Sequence, residues 1–241
     1  MLDRAKQFPL MCLTQDALPL SHEEQARRLC AAGARWIQLR MKGAKADAWL
    51  ATARAVIAIC REHGAVCIVN DSVDIALAAG ADGVHLGKLD EAWRSARARL
   101  GVNRILGGTV NHAADAAKAR ASDCLDYVGV GPWRFTANKK NLAPILGADG
   151  VRALLAQLDG LPAWVIGGVE ADDLPAVRGT GATGAAVSSA LFRGGAIEEN
   201  FRRLTAAWAC APTPMSAART ESVCHLLDDK RPEGPRVELR S

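Results

Sequence analysis

Two aspartates stand just past apolar runs that read as strands. Asp71 follows Val66-Cys-Ile-Val-Asn, and Asp90 closes Gly83-Val-His-Leu-Gly-Lys-Leu-Asp. A helical run ending at Gly80 separates the two strands. Strand, crossover helix and strand make a right-handed parallel unit, so both strand C-termini open on one side. Neighbouring strands lie roughly 4.8 Å apart, which lets both carboxylates reach one small hard cation. A few Asp oxygens, with room left for water and phosphate oxygens, suit magnesium. The same positions also suit helix capping, of the helix near Ser72 by Asp71 and of the helix near Glu91 by Asp90.

Other polar residues fall at matching strand ends. In Gln38-Leu39-Arg40-Met41-Lys42, strand alternation puts Gln38, Arg40 and Lys42 on one side of the backbone. Gln38 lies inside an apolar run and is expected to point into a barrel mouth. The stretch from Gly131 to Asn141 is long, basic and rich in donors, and Thr136, Asn138 and Lys139 are suited to an anion. Gly167-Gly168 follows one apolar run, and Ser188-Ser189 ends another just before a helix, where free amides favour a phosphate. His85 reads as a structural histidine. No Ser-His-Asp or Cys-His set appears at matching strand ends. A divalent-metal site, a basic cluster and a separate phosphate cradle suit one substrate carrying a pyrophosphate beside a second carrying a phosphate.

The elements that must position these groups alternate along the chain. Extended segments are expected at Leu10–Thr14, Trp36–Arg40, Val66–Val69, the run ending at Leu86, Arg104–Leu106, Asp126–Gly129, Ala163–Ile166 and Ala185–Val187. Helices are expected from Ser21 to Gly33, Ala46 to His63, Val73 to Ala79, Glu91 to Leu100, Ala113 to Ala121, Asp149 to Leu158 and Asp172 to Arg178, with a last one running to about Ala209. Ser21-His-Glu-Glu24 carries a capping-box signature. Apolar strands separated by amphipathic helices mean a parallel sheet covered by helices. Eight units in 241 residues, with no G-x-G-x-x-G turn after the first strand, favour a single α/β (β/α)8 TIM barrel over an open doubly wound sheet. Residues 1–209 are expected to form the catalytic barrel and 210–241 a short flexible C-terminal tail.

Composition excludes several classes of function. A net charge of +4 from 30 basic and 26 acidic side chains is too even to argue for nucleic acid or a membrane surface. Seven cysteines include no C-x-x-C pair, which fits a reducing compartment. No apolar run reaches the roughly 20 residues needed to span a bilayer. A soluble, cytoplasmic enzyme with no nucleic-acid or membrane partner is expected, and a homo-oligomer is compatible with the sequence.

Five separated motifs resemble, in order and spacing, the thiamine phosphate synthase family: Gln38 to Lys42, Asn70-Asp71, Gly83 to Asp90, Gly131-Pro132 with Thr136 to Lys139, and Ile166-Gly167-Gly168. The resemblance covers residues 10 to 205. It implies a transferase that joins an aminopyrimidine methyl pyrophosphate to thiazole phosphate, giving thiamine phosphate and pyrophosphate with Mg2+. Carried over by position, Gln38, Leu39, Arg40, Met41, Lys42 and Asn70 match the pyrimidine pyrophosphate site, with Thr109 standing where a serine is usual. Asp71 and Asp90 match the magnesium ligands. Thr136, Ala137, Asn138, Gly168, Ser188 and Ser189 match the thiazole phosphate cradle, and Lys139 a pyrophosphate-contacting lysine. Arg40, Lys42 and Lys139 are the catalytic cations this implies. Three positions depart from the pattern: Lys88 replaces a glutamine, Asn138 a threonine, and Asn111 a common histidine. The competing readings are a thiazole tautomerase-like enzyme, which needs neither metal nor pyrophosphate, and a non-catalytic barrel holding thiazole phosphate or thiamine phosphate.

Overall fold

Eight short parallel strands close on one another in chain order in the computed structural model, which describes residues 7–135 and 144–210. They are β1 (Leu10–Leu13), β2 (Trp36–Leu39), β3 (Val66–Asn70), β4 (Gly83–Leu86), β5 (Ile105–Val110), β6 (Tyr127–Val130), β7 (Ala163–Ile166) and β8 (Gly184–Val187). β1 pairs with both β2 and β8, which closes the barrel. Helices return the chain outside it: α1 (His22–Ala31), α2 (Ala46–Glu62), α3 (Val73–Ala79), α4 (Trp93–Leu100), α5 (Ala113–Ser122), α6 (Gly147–Leu155), α7 (Leu174–Gly179), α8 (Ser189–Phe192) and α9 (Ile197–Cys210). The barrel expected from the alternation is present. Residues 211–241, including nearly all of the expected tail, lie outside the described residues. Among the described residues no helix is long and apolar enough to cross a membrane.

Strand alternation divides the core in two. Side chains such as Cys12, Ile37, Val69, Val84 and Val165 face outward and pack under the helices. Met11, Leu13, Trp36, Val66, Ile68, Ile105, Tyr127, Trp164 and Ala186 fill the interior. Trp36, Tyr127 and Trp164 form an edge-on aromatic plug, with ring centroids 5.3 Å apart for Trp36–Tyr127, 4.7 Å for Trp36–Trp164 and 5.6 Å for Tyr127–Trp164. Such pairs add about 0.5–1.5 kcal/mol each beyond the area they bury. The plug closes the barrel floor, so chemistry is confined to the mouth at the strand C-termini.

The structure departs from the expected boundaries at several elements. β5 does not stop at Leu106 but runs on through Gly107 and Gly108 to Val110. A Cβ on Gly107 would lie 2.2 Å from Tyr127 Cζ, so the residue is glycine to admit the ring rather than to turn the chain. The last helix is two helices, because Gly194 and Gly195 take positive φ between α8 and α9. α4 begins at Trp93 rather than Glu91, and α6 spans Gly147–Leu155 rather than Asp149–Leu158. A 3-10 turn, Ala171–Asp173, precedes α7.

Candidate active site

Along the inward line of each strand, apolar residues give way to polar ones at the rim: Trp36 to Gln38 on β2, Ile68 to Asn70 on β3, Gly83 to His85 on β4 and Gly107 to Thr109 on β5. Gln38, Asn70 and His85 are buried. They lie on top of the plug and are linked. Gln38 Nε2 donates to Met11 Sδ at 3.2 Å, and Gln38 also hydrogen-bonds the Tyr127 hydroxyl. The hydroxyl lies 3.1 Å from His85 Nδ1, and His85 Nε2 lies 3.1 Å from Thr109 Oγ1. Burial pushes the Tyr127 phenol well above its ordinary value, so it stays protonated. His85 is therefore a hydrogen-bonded structural histidine that orients Thr109 at the mouth.

The two aspartates meet above this floor. Asp71 takes φ +72°, a left-handed backbone that only glycine, asparagine and aspartate adopt with ease. The bend breaks strand alternation and turns its carboxylate to an ion pair with Lys42 Nζ. Asp90 lies close enough to Asp71 for the two carboxyls to influence each other, and accepts the Gly87 N–H at 2.6 Å. Neither aspartate caps a helix. Ser72 caps α3, its hydroxyl accepting the Ile75 N–H at 3.2 Å, and Ala92 precedes α4. Burial raises the Asp90 carboxyl above the usual range, and the nearby charge of Asp71 raises it further, against the Gly87 amide and Lys42. Two carboxylates held this close repel unless a proton or cation lies between them. Among the described residues no three His, Cys, Asp or Glu side chains form a metal cage. As a pair of carboxylates, Asp71 and Asp90 could hold an ion that keeps most of its shell as water or phosphate oxygens, which is the habit of magnesium.

The basic strand end reaches the same place. Lys42 stands on Asp71, and half-buried Arg40 lies beside it on the β2 loop. Leu39 differs from the expectation in one respect: its side chain is buried in the shell under the helices, so only its backbone can face the mouth. Two of the three departures from the family pattern have local partners. Lys88 Nζ lies 2.6 Å from Asp115 Oδ2 and 3.0 Å from His112 Nε2, which commits its charge to the β5 loop and away from Asp90. Asn111 Nδ2 donates to the Gly131 carbonyl at 2.5 Å. A cavity of about 190 Å³ beside these groups is lined by Lys88, Asp90, Thr109 and Asp115 among others.

Across the mouth, Gly168 takes φ +71°, and a Cβ there would lie 2.5 Å from Arg134 Cγ. The Gly167 carbonyl accepts the Arg134 N–H at 3.0 Å, so the Gly-Gly turn is fitted to the start of the β6 loop. Ser188 follows β8 and donates to the Leu13 carbonyl at 3.4 Å, and Ser189 opens α8. Thr136, Ala137, Asn138 and Lys139 lie outside the described residues. Sequence reasoning missed Thr14, Asp16, His22 and Gln25, which brace the β2 loop from β1 and α1. The signal was the polar run Thr14-Gln-Asp16 at the end of an apolar strand, on a par with the other strand ends.

Set against known proteins, the chain matches the family described as thiamine monophosphate synthase over residues 10–191. It is 39% identical over 199 residues to the thiamine-phosphate synthase of Bacteroides fragilis, spanning 81% of this chain and 97% of that protein. It is 42% identical over 201 residues to that of Myxococcus xanthus, spanning 83% and 91%. The solved thiamine phosphate pyrophosphorylase from Pyrococcus furiosus superposes with a TM-score of 0.77 at 29% identity, over 85% of this chain and 96% of that one.

Proposed function

Because this chain belongs to the thiamine monophosphate synthase family, we propose that its barrel is a catalytic domain joining an aminopyrimidine methyl diphosphate to thiazole phosphate at the mouth just described. The chain is an enzyme, a transferase that forms thiamine phosphate. In the reaction the C–O bond to the diphosphate breaks and its electron pair leaves with the oxygen, while the thiazole nitrogen lone pair forms the new C–N bond. The nitrogen attacks without losing a proton, so no general base is needed. The task left to the protein is to stabilise charge on the leaving group.

Arg40, Lys42 and Lys139 supply that charge. Gln38, Asn70 and Thr109, with the backbone of Leu39 and with Met41, surround the pyrimidine end. Thr136, Ala137, Asn138, Gly168, Ser188 and Ser189 receive the thiazole phosphate. Asp71 and Asp90 would hold Mg2+, which when bound neutralises diphosphate oxygens. The observation that carries this reading is the convergence of Asp71, Asp90 and Lys42 at one point of the rim. A tautomerase has no use for two opposed carboxylates beside a lysine.

The test supplies purified protein with both substrates and Mg2+ and follows pyrophosphate and thiamine phosphate together. Equal release of the two is expected, with most of it lost in Asp71→Ala and in Asp90→Ala. Binding of thiazole phosphate with no thiamine phosphate formed would instead identify a non-catalytic binding barrel.

A further inference from the structure

Arg40 and Lys42 are fixed through their backbones, and both restraints lead to one imidazole. Thr14, fully buried just past β1, donates its N–H to the Gln38 carbonyl at 3.0 Å. Its Oγ1 accepts the Arg40 N–H at 3.1 Å. Asp16 Oδ2 accepts the Lys42 N–H at 3.0 Å. His22, the first residue of α1 and 8% exposed, lies between the two acceptors. Its Nδ1 is 2.8 Å from Thr14 Oγ1 and its Nε2 is 3.1 Å from Asp16 Oδ1. Gln25, one turn further along α1, closes the same loop. It donates to the carbonyls of Gln15 at 2.8 Å and Leu20 at 2.9 Å, and accepts the Gln15 N–H at 2.9 Å.

Donors and acceptors match along this chain. Thr14 Oγ1 accepts from Arg40 and keeps its own O–H to donate to Nδ1. An imidazole with its proton on Nε2 accepts there and donates to Asp16, whose other oxygen takes the Lys42 amide. One ring thereby sets the alternate amides of the segment carrying both cations. Beyond that segment the chain is free to turn, since Gly43 takes φ +73° with nothing packed where its Cβ would be.

We propose that His22 is a positioning residue for the diphosphate subsite, holding Arg40 and Lys42 in the register that meets the departing diphosphate. This rests on the reading of those two cations as diphosphate contacts. Charge stabilisation needs donors fixed before the charge develops, and a loop tied at alternate residues supplies that. The network meets the phosphate cradle at the β1 end, where Ser188 donates to the carbonyl of Leu13, next to Thr14. The direct ties of His22 lead to the backbone of the segment from Arg40 to Lys42, so the loss of binding on removing it is expected for the diphosphate.

The test compares His22→Leu, His22→Asn and His22→Gln with Lys42→Ala. It uses steady-state kinetics varied in each substrate and calorimetric titration with inorganic pyrophosphate and Mg2+. Leucine fills the space without hydrogen bonds. Asparagine places a polar atom near Nδ1 and glutamine one near Nε2, so each restores one branch. His22→Leu is expected to lower kcat/KM for the pyrimidine diphosphate, and affinity for pyrophosphate, by about tenfold, as for one or two lost hydrogen bonds. The KM for thiazole phosphate, measured with the diphosphate substrate saturating, stays within about twofold, since a loss of leaving-group stabilisation enters kcat rather than the binding of thiazole phosphate. Each polar variant recovers part of the loss, and these two carry the test if the leucine variant does not fold. An affinity for thiazole phosphate lowered as much as that for pyrophosphate, or unchanged diphosphate constants in all three variants, overturns the proposal. Full retention of pyrophosphate affinity in Lys42→Ala overturns instead the reading of the subsite on which it rests.

Discussion

Asp90→Asn separates what the carboxylate pair does for catalysis from what it costs the fold. Asp71 and Asp90 lie close enough for their carboxyls to influence each other. Two unit charges roughly 4 Å apart repel by about 4 kcal/mol at an effective dielectric constant near 20. Both side chains are partly solvated, and Lys42 already stands on Asp71. These offset most of the repulsion and leave about 1 kcal/mol. An asparagine oxygen can still accept the Gly87 N–H that Asp90 accepts at 2.6 Å. In chelator at pH 7 the variant is therefore expected to unfold about 2–4 °C above the unmodified protein, a shift that 1 kcal/mol produces in a domain of this size. The sign with pH follows from the raised Asp90 carboxyl. The stability of the unmodified chain relative to the variant is full below the unfolded-state value near pH 4 and is lost as pH rises through the folded one, so the gap opens upward. Adding Mg2+ and pyrophosphate reverses the order, because only the unmodified site gains ligand-linked stability. Thermal melts in chelator from pH 4 to pH 7, and with ligands at pH 7, read all three effects. A variant less stable than the unmodified protein in chelator at pH 7, or a gap independent of pH, would show that the two carboxylates do not oppose each other.

Two further substitutions test the surroundings of the site. Gly107→Ala drives a Cβ against Tyr127 and is expected to cost about 1–3 kcal/mol, read as a lowered melting temperature; an unchanged melt would mean that the ring has room to move. Lys88→Met removes the cation from Asp115, whose carboxyl burial would raise but which Lys88 and the Asn111 amide hold below its ordinary value. The loss of about 1 kcal/mol is expected at pH 7. It disappears as pH falls through the depressed Asp115 value, because the stabilisation exists only above it. Urea titrations at neutral and acid pH read this, and because Lys88 faces Asp115, the Mg2+ requirement should stay close to that of the unmodified enzyme.

Features set by local pattern were legible before any coordinates. Apolar runs and helical periodicity gave the barrel, and the ends of those runs placed Asp71, Asp90, Arg40 and Lys42 on one rim. The sequence also allowed both aspartates to be helix caps, and nothing short of the fold could exclude that. Ser72 takes one cap, and the left-handed turn at Asp71 releases its carboxylate. What stayed hidden depends on partners that only the fold brings together. Lys88 reads as a stray charge near a metal ligand until Asp115 is seen 2.6 Å away. His22 reads as part of a helix start until Thr14 and Asp16 close on its two nitrogens. The extended run from Arg104 reads as ending at Leu106 until Tyr127 is found where a side chain at Gly107 would be.

The most direct test is to grow crystals with Mn2+, a carboxylate-seeking substitute for Mg2+, together with pyrophosphate, and to locate the ion by its anomalous scattering. One peak is expected, bridging a carboxylate oxygen of Asp71 and one of Asp90, with pyrophosphate on its open side and Lys42 turned toward the phosphate oxygens. An ion bound elsewhere, with the two aspartates pointing apart, would contradict it.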